Sequence, residues 1–189
     1  MKSNTVKRLL VGAIAIVITG CANPVNRTTY DRYREAALAA ESRGDFATAE
    51  QAYYRAAENV RWGNLGDNAE MYALYDLGRI KRVVGKLGES EELLRRAAEI
   101  DSKLRSTYGP SKGGPTGYIL AELAATYLAE GKLSEGIQIL DKLEPIAAEY
   151  SGGPRLFMKQ TFSKYSQALS ARSDLQNAQR FAKIAESLE

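Results

Sequence analysis

The chain has 189 residues, with 26 Lys or Arg against 23 Asp or Glu, no histidine and one cysteine. The missing histidine excludes a His-based triad, an HExxH zinc site and imidazole acid–base chemistry, and the lone cysteine excludes an intrachain disulfide or a thiolate cluster. At 44% apolar and 26% charged residues this is a globular composition, long enough for one domain with a real core, and only its net charge of +3 points toward nucleic acid.

That charge sits at the N-terminus. Lys2, Lys7 and Arg8 precede an uninterrupted uncharged run from Leu9 to Gly20, and no acidic residue occurs before Cys21. A basic start, an apolar stretch of this length and a small-residue end read as an export signal over residues 1–20. The run is shorter than the roughly 20 apolar residues that span a bilayer comfortably. A buried core helix, the alternative, would show polar residues along one face, and here only Thr19 is polar.

Ile18-Thr19-Gly20-Cys21 resembles the lipobox of bacterial lipoproteins, with the sole cysteine of the chain at the end of the apolar run. The resemblance implies removal of residues 1–20 and lipidation of Cys21, whose several acyl chains meet the need for more than one anchoring signal. Ala22-Asn23 follows, not Asp, which by the family's sorting rule implies the periplasmic face of the outer membrane. Losing the leader removes three basic residues and no acidic ones, so the remainder is formally neutral and no nucleic-acid partner is expected. Residues 21–28 read as the lipidated cysteine and a polar tether containing Pro24. From Ala22 to Thr28 this tether reaches at most about 25 Å, which would keep the domain beside the membrane.

From residue 29 to 189 the pattern is helical nearly throughout, in Ala-, Leu-, Glu- and Arg-rich stretches separated by short breaks of Gly, Pro, Asn or Asp. It predicts eight helices, roughly 29–42, 46–61, 67–84, 88–107, 115–130, 134–150, 154–171 and 174–188, with Pro145 kinking the sixth or ending it early. The helices pair, and the pairs repeat. Tight turns at Gly44, Gly85, Gly131 and Ser173 are 41, 46 and 42 residues apart. Seven residues before them stand Ala37, Gly78, Ala124 and Ser166, and five after stand Ala49, Ser90, Gly136 and Ala178. These small residues suit helices crossing closely. Bulky apolar residues recur at fixed offsets: Tyr33, Leu74, Leu120 and Phe162 on one helix of each pair, and Tyr53, Leu94 and Leu140 on the other. Agreement at several offsets in four units favours a repeat array over a chance match in an Ala-rich bundle.

The pattern resembles the tetratricopeptide repeat (TPR), with Gly44-Asp45-Phe46-Ala47-Thr48-Ala49-Glu50 in the position of that family's turn. The longer unit, Ala97 to Asp101 through Tyr108-Gly109-Pro110 into Tyr118 to Leu123, is similar to the kinesin-light-chain type. Lys81 departs from the aromatic residue usual at its position, and the helix-ending proline is missing. The resemblance implies an all-α fold, a right-handed α-solenoid of about four TPR-like helix pairs, whose concave face binds peptides or helices of partner proteins. Carried over by position, the groove would be lined by Asp31, Arg34 and Leu38, then Tyr72, Tyr75, Arg79 and Arg82. Units three and four would add Tyr118, Ala121 and Ala125, then Gln160, Ser163 and Gln167. Small residues in unit three would leave space flanked by Tyr72, Tyr75, Arg79, Arg82 and Tyr118, residue types common in interface hot spots. Packing of these tyrosines against neighbouring helices is the competing reading. Trp62, between units one and two, reads as a packing plug.

No catalytic, cofactor or metal constellation emerges. The Gly-rich stretch from Tyr108 to Gly117 lacks the Gly-Lys-Ser/Thr ending of a phosphate loop and reads as an inter-repeat loop. Glu89, Glu91 and Glu92 gather at a helix start, where the macrodipole favours them. The expectation is a non-enzymatic, outer-membrane-anchored periplasmic adaptor. It would serve in assembly of a pilus or secretion machine, or in scaffolding cell-wall enzymes. The alternatives are a self-associating structural lipoprotein and a hydrolase with an unrecognised carboxylate site.

Overall fold

The structure is a computed structural model describing residues 24–111 and 113–188. The leader and Cys21 lie outside the described residues. Within them the chain is all helix and turn: α1 (Pro24–Ser42), α2 (Phe46–Gly63), α3 (Asp67–Val83), α4 (Leu87–Tyr108), α5 (Pro115–Glu130), α6 (Leu133–Ala147), α7 (Gly152–Ala171) and α8 (Leu175–Ser187). Packing is densest within the pairs α1–α2, α3–α4, α5–α6 and α7–α8, then between α2 and α3 and between α4 and α5, which makes an all-α solenoid of helix pairs.

The four turns within pairs are built alike. Gly44, Gly85, Gly131 and Ser173 all take a left-handed backbone, with φ of 75°, 81°, 75° and 63°. The residue after each donates its N–H five residues back: Asp45 to Ala40, Lys86 to Lys81, Lys132 to Tyr127 and Asp174 to Leu169, at 2.9–3.0 Å. This bond satisfies a carbonyl left open at the end of the first helix. Asp45 and Asp174 then cap the next helix by accepting from the Thr48 and Asn177 N–H groups, while Lys86 and Lys132 supply no side-chain cap.

Two boundaries differ from the sequence reading by three residues or more. Helix α1 already holds the chain at Pro24, the first described residue, so the part of the expected tether from Pro24 to Thr28 is helical. Proline is tolerated in a first helical turn, and Asn26 gains packing against Gly63, where a Cβ would come within 2.4 Å of the Asn26 Cβ. Helix α6 stops at Ala147 with Pro145 in its last turn, three residues short of the limit expected from periodicity alone.

The small residues lie at close crossings. Ala37, Ala49, Ser90 and Ala124 are fully buried, and Ser90 Oγ lies 3.0 Å from Thr126 Oγ1 between α4 and α5. In unit three the small pair also forms a slot for the next unit. Tyr165 of α7 enters between α5 and α6, donates to the Ala124 carbonyl at 2.8 Å, and stands where a side chain at Gly136 would be. The largest apolar cluster spans units three and four, with Leu120, Leu140, Leu143, Met158, Phe162, Tyr165 and Phe181. Units one and two share smaller clusters rich in alanine.

Lys81, where the repeat pattern expects an aromatic residue, is buried. Its ammonium bridges Glu50 of α2 at 2.7 Å and Glu89 of α4 at 2.6 Å, tying the two helices with charge instead of ring contact. The Gly-rich segment joins units two and three and closes on Tyr150. The Tyr150 hydroxyl donates to the Gly114 carbonyl at 2.7 Å and accepts the Gly117 N–H at 2.8 Å. Gly117 is required there because a Cβ would fall 2.4 Å from Tyr150 Cζ.

Candidate partner-binding face

The first helices α1, α3 and α5 share a face on which three arginine–carboxylate pairs cross from unit to unit. Arg34 of α1 donates through Nε to Asp76 of α3 at 2.7 Å. Arg79 of α3 grips Glu41 of α1 through both terminal nitrogens, one at 2.6 Å. The Tyr53 hydroxyl of α2 donates to the same carboxylate at 3.1 Å and accepts from Arg79 at 3.2 Å. Arg82 of α3 donates through Nε to Glu122 of α5 at 2.8 Å, with its Nη2 2.7 Å from the same carboxylate oxygen. Forked, charge-assisted bonds of this kind fix geometry as well as charge.

Burial splits the acids. Asp76 and Glu122 are almost fully enclosed, and loss of solvation pushes both carboxyls above the ordinary range despite their arginines. Glu41 is more open, and the Arg79 hydrogen bond holds its carboxyl below the ordinary range. Burial also raises the Tyr53 and Tyr75 phenols.

Alongside the pairs runs an aromatic ladder. Tyr75 meets Tyr118 edge-on with ring centroids 6.4 Å apart, and Tyr118 meets Tyr150 at 5.4 Å. The Arg82 guanidinium lies 5.6 Å from the Phe157 ring of α7, so α3 and α7 meet across α5. The open space expected over Ala121 and Ala125 is largely missing: Ala121 is fully buried and Ala125 half-buried.

Among the residues proposed from sequence, Arg79 and Arg82 are largely enclosed by their carboxylates. Tyr75 and Tyr118 are half-buried in the ladder. Tyr72 remains 36% exposed and Leu38 44%, large apolar side chains open to solvent on α3 and α1, with Arg34 partly open beside them. Ser163 and Gln167 line a shallow cleft with Ala182, Ala185 and Glu186 of α8, apart from the arginine pairs. Trp62 is 72% exposed and plugs nothing. It lies under Arg61, whose guanidinium is 5.3 Å from its ring, and donates to Glu58 at 3.0 Å.

The sequence reading left Glu41, Asp76, Glu122, Tyr150 and Phe157 off this face and placed Tyr53 only among the packing positions. One signal was available. Nine residues before the turn stands an acid in each of the first three units: Glu35, Asp76 and Glu122. The second and third are covered by the preceding unit, which supplies an arginine to each. Glu35 has no unit before it and is exposed.

No protein-family model and no curated protein sequence matches the chain. Solved structures do. Two structures of a Podosopora anserina protein, described as a putative kinesin light chain with nearly identical TPR-like repeats, superpose with TM-scores of 0.64 and 0.62 at 20% identity, the first of them a point variant. In both cases the match covers 84% of this chain and 74% of the other. The fold is therefore that of stacked TPR-like helix pairs.

Proposed function

We propose that the protein is a non-enzymatic adaptor that holds an extended or helical segment of a partner protein against the face formed by α1, α3 and α5. The observation that carries this reading is the exposed Leu38 and Tyr72 on a face stiffened by three inter-unit arginine–carboxylate pairs. A preordered surface loses little freedom on binding, and exposed tyrosine provides rigid contact area. Two buried carboxylates with raised pKa would also suit a hydrolase, but each is closed off by an arginine, which favours the adaptor.

The decisive variant is Leu38→Asp with Tyr72→Ala, since neither side chain belongs to the buried network. Captured from envelope extracts, the wild type should retain a partner that the double variant loses at least tenfold, with helical circular dichroism and melting unchanged. An unchanged set of captured proteins would put the binding surface elsewhere.

The location we propose is the periplasmic face of the outer membrane, through lipid on Cys21, supported by the Lys2–Gly20 leader pattern and Ile18-Thr19-Gly20-Cys21. The pathway would be assembly of a pilus or secretion machine, or the scaffolding of cell-wall enzymes. Cys21→Ser should abolish incorporation of a radiolabelled fatty acid and move the protein to the soluble fraction. Labelling that persists in the variant refutes the anchor.

A further inference from the structure

The helix pairing places the start of α1, the α2–α3 turn and the end of α4 along one edge of the array, the entry end of the helix pairs, opposite the four tight turns. The first turn of α1 touches the last turn of α2 at Asn26 and Gly63. The Lys103 ammonium of α4 bonds Asp67 at the start of α3 at 2.7 Å, and Tyr108 shares a shallow cleft with Leu65 and Gly66. This end carries Trp62, 72% exposed, and Tyr108, 82% exposed, the two most exposed large apolar side chains among the described residues.

Arg61 lies over the Trp62 ring, and Arg105 stands one turn before Tyr108 on α4, lining the neighbouring cleft with Asp101, Thr116 and Lys142. The nearby acids are matched: Asp31 pairs with Arg27 at 3.3 Å, Glu58 with Arg61 at 3.7 Å and Asp67 with Lys103. Arg105 has no acid within salt-bridge distance among the described residues and is free to meet an anionic group. It is also the end where the chain enters from Cys21. The three residues back from Pro24 span at most about 11 Å.

We propose that this end of the array lies in the headgroup layer of the anchoring bilayer, with Trp62 and Tyr108 at the interface and Arg61 and Arg105 on anionic lipid phosphates. Rings with one apolar body and one polar tip favour that layer, and neighbouring arginines are attracted to its negative charge. The proposal rests on lipidation of Cys21. It adds an orientation: the solenoid stands with its α1 entry end on the membrane and its tight turns away from it.

Trp62 is the sole tryptophan, so its emission reports its own depth. The lipidated full chain is placed in phosphatidylethanolamine–phosphatidylglycerol vesicles, with and without brominated acyl chains. We expect a blue shift and loss of more than half of the emission in brominated vesicles. Combining Arg61→Ser, Arg105→Ser and Tyr108→Ser should reduce the quenching at least twofold. A chain that floats with the vesicles but keeps unquenched tryptophan emission overturns the orientation and leaves the anchor intact; this is also what a protein partner on the rim would give. A mass for Cys21 without acyl groups overturns the anchor, and the orientation with it.

Discussion

Gly136→Ala is expected to destabilise the protein by about 3 kcal/mol, even though alanine is the better helix former by about 1 kcal/mol. The new Cβ would lie 1.5 Å from the Tyr165 hydroxyl and 2.4 Å from its Cζ. That ring cannot swing aside cheaply: it is fully buried, stacks edge-on against Phe181 at 6.3 Å, and donates its hydroxyl to Ala124. Displacing it breaks a buried hydrogen bond as well as packing. For a domain of this size the melting midpoint should fall by roughly 6–12 °C. Tyr165→Phe removes the atom in closest conflict, so in the Gly136→Ala background it should recover part of the loss, whereas alone it should cost stability. Calorimetry on the four proteins of this cycle gives the coupling, and additive losses would show that the slot is not what makes glycine necessary.

Arg82→Ala has the second largest expected effect, again about 3 kcal/mol, because it strands a buried carboxylate. The lower end of the usual range applies, since Arg82 keeps part of its side chain in solvent. The pH dependence gives the test its sign. Burial already holds the Glu122 carboxyl above its ordinary value of 4.5, and removing Arg82 raises it further. Between the unfolded value and the higher folded one, the native state binds more protons than the unfolded chain, so stability rises as pH falls through that window. Glu41 behaves oppositely, losing stabilisation as pH falls, but it does so in both proteins and cancels in the difference. The gap between variant and wild type, measured by urea unfolding, should therefore narrow from pH 7 toward pH 5. A gap independent of pH would mean that the loss comes from Phe157 packing and not from the stranded charge.

The helices and their pairing were legible because they rest on local chemistry: left-handed turn residues at near-constant spacing, and small residues at fixed offsets from them. Even Ser173, with a side chain at a position that prefers none, was placed by that spacing. The face was harder to read. Offsets locate Arg79 and Arg82 on it, but whether an arginine points to solvent or to a carboxylate depends on an acid about 40 residues away in the neighbouring unit. Helical periodicity within one unit carries no trace of that distance. Trp62 shows the opposite limit. Its size favours burial, yet the small residues Gly63 and Asn26 close the α1–α2 contact beside it and leave the indole outside.

The joints of the array differ in their physics, and this bears on how each responds to salt. Unit one holds unit two through ion pairs set beside apolar clusters that include Tyr53, Leu77 and Ile80, while units three and four share a continuous apolar core. Rising ionic strength screens the more open Arg34, whereas Asp76, Glu41 and Arg79 are enclosed and screened far less. The first joint is thus the one whose strength salt can tune, and burial keeps that tuning small.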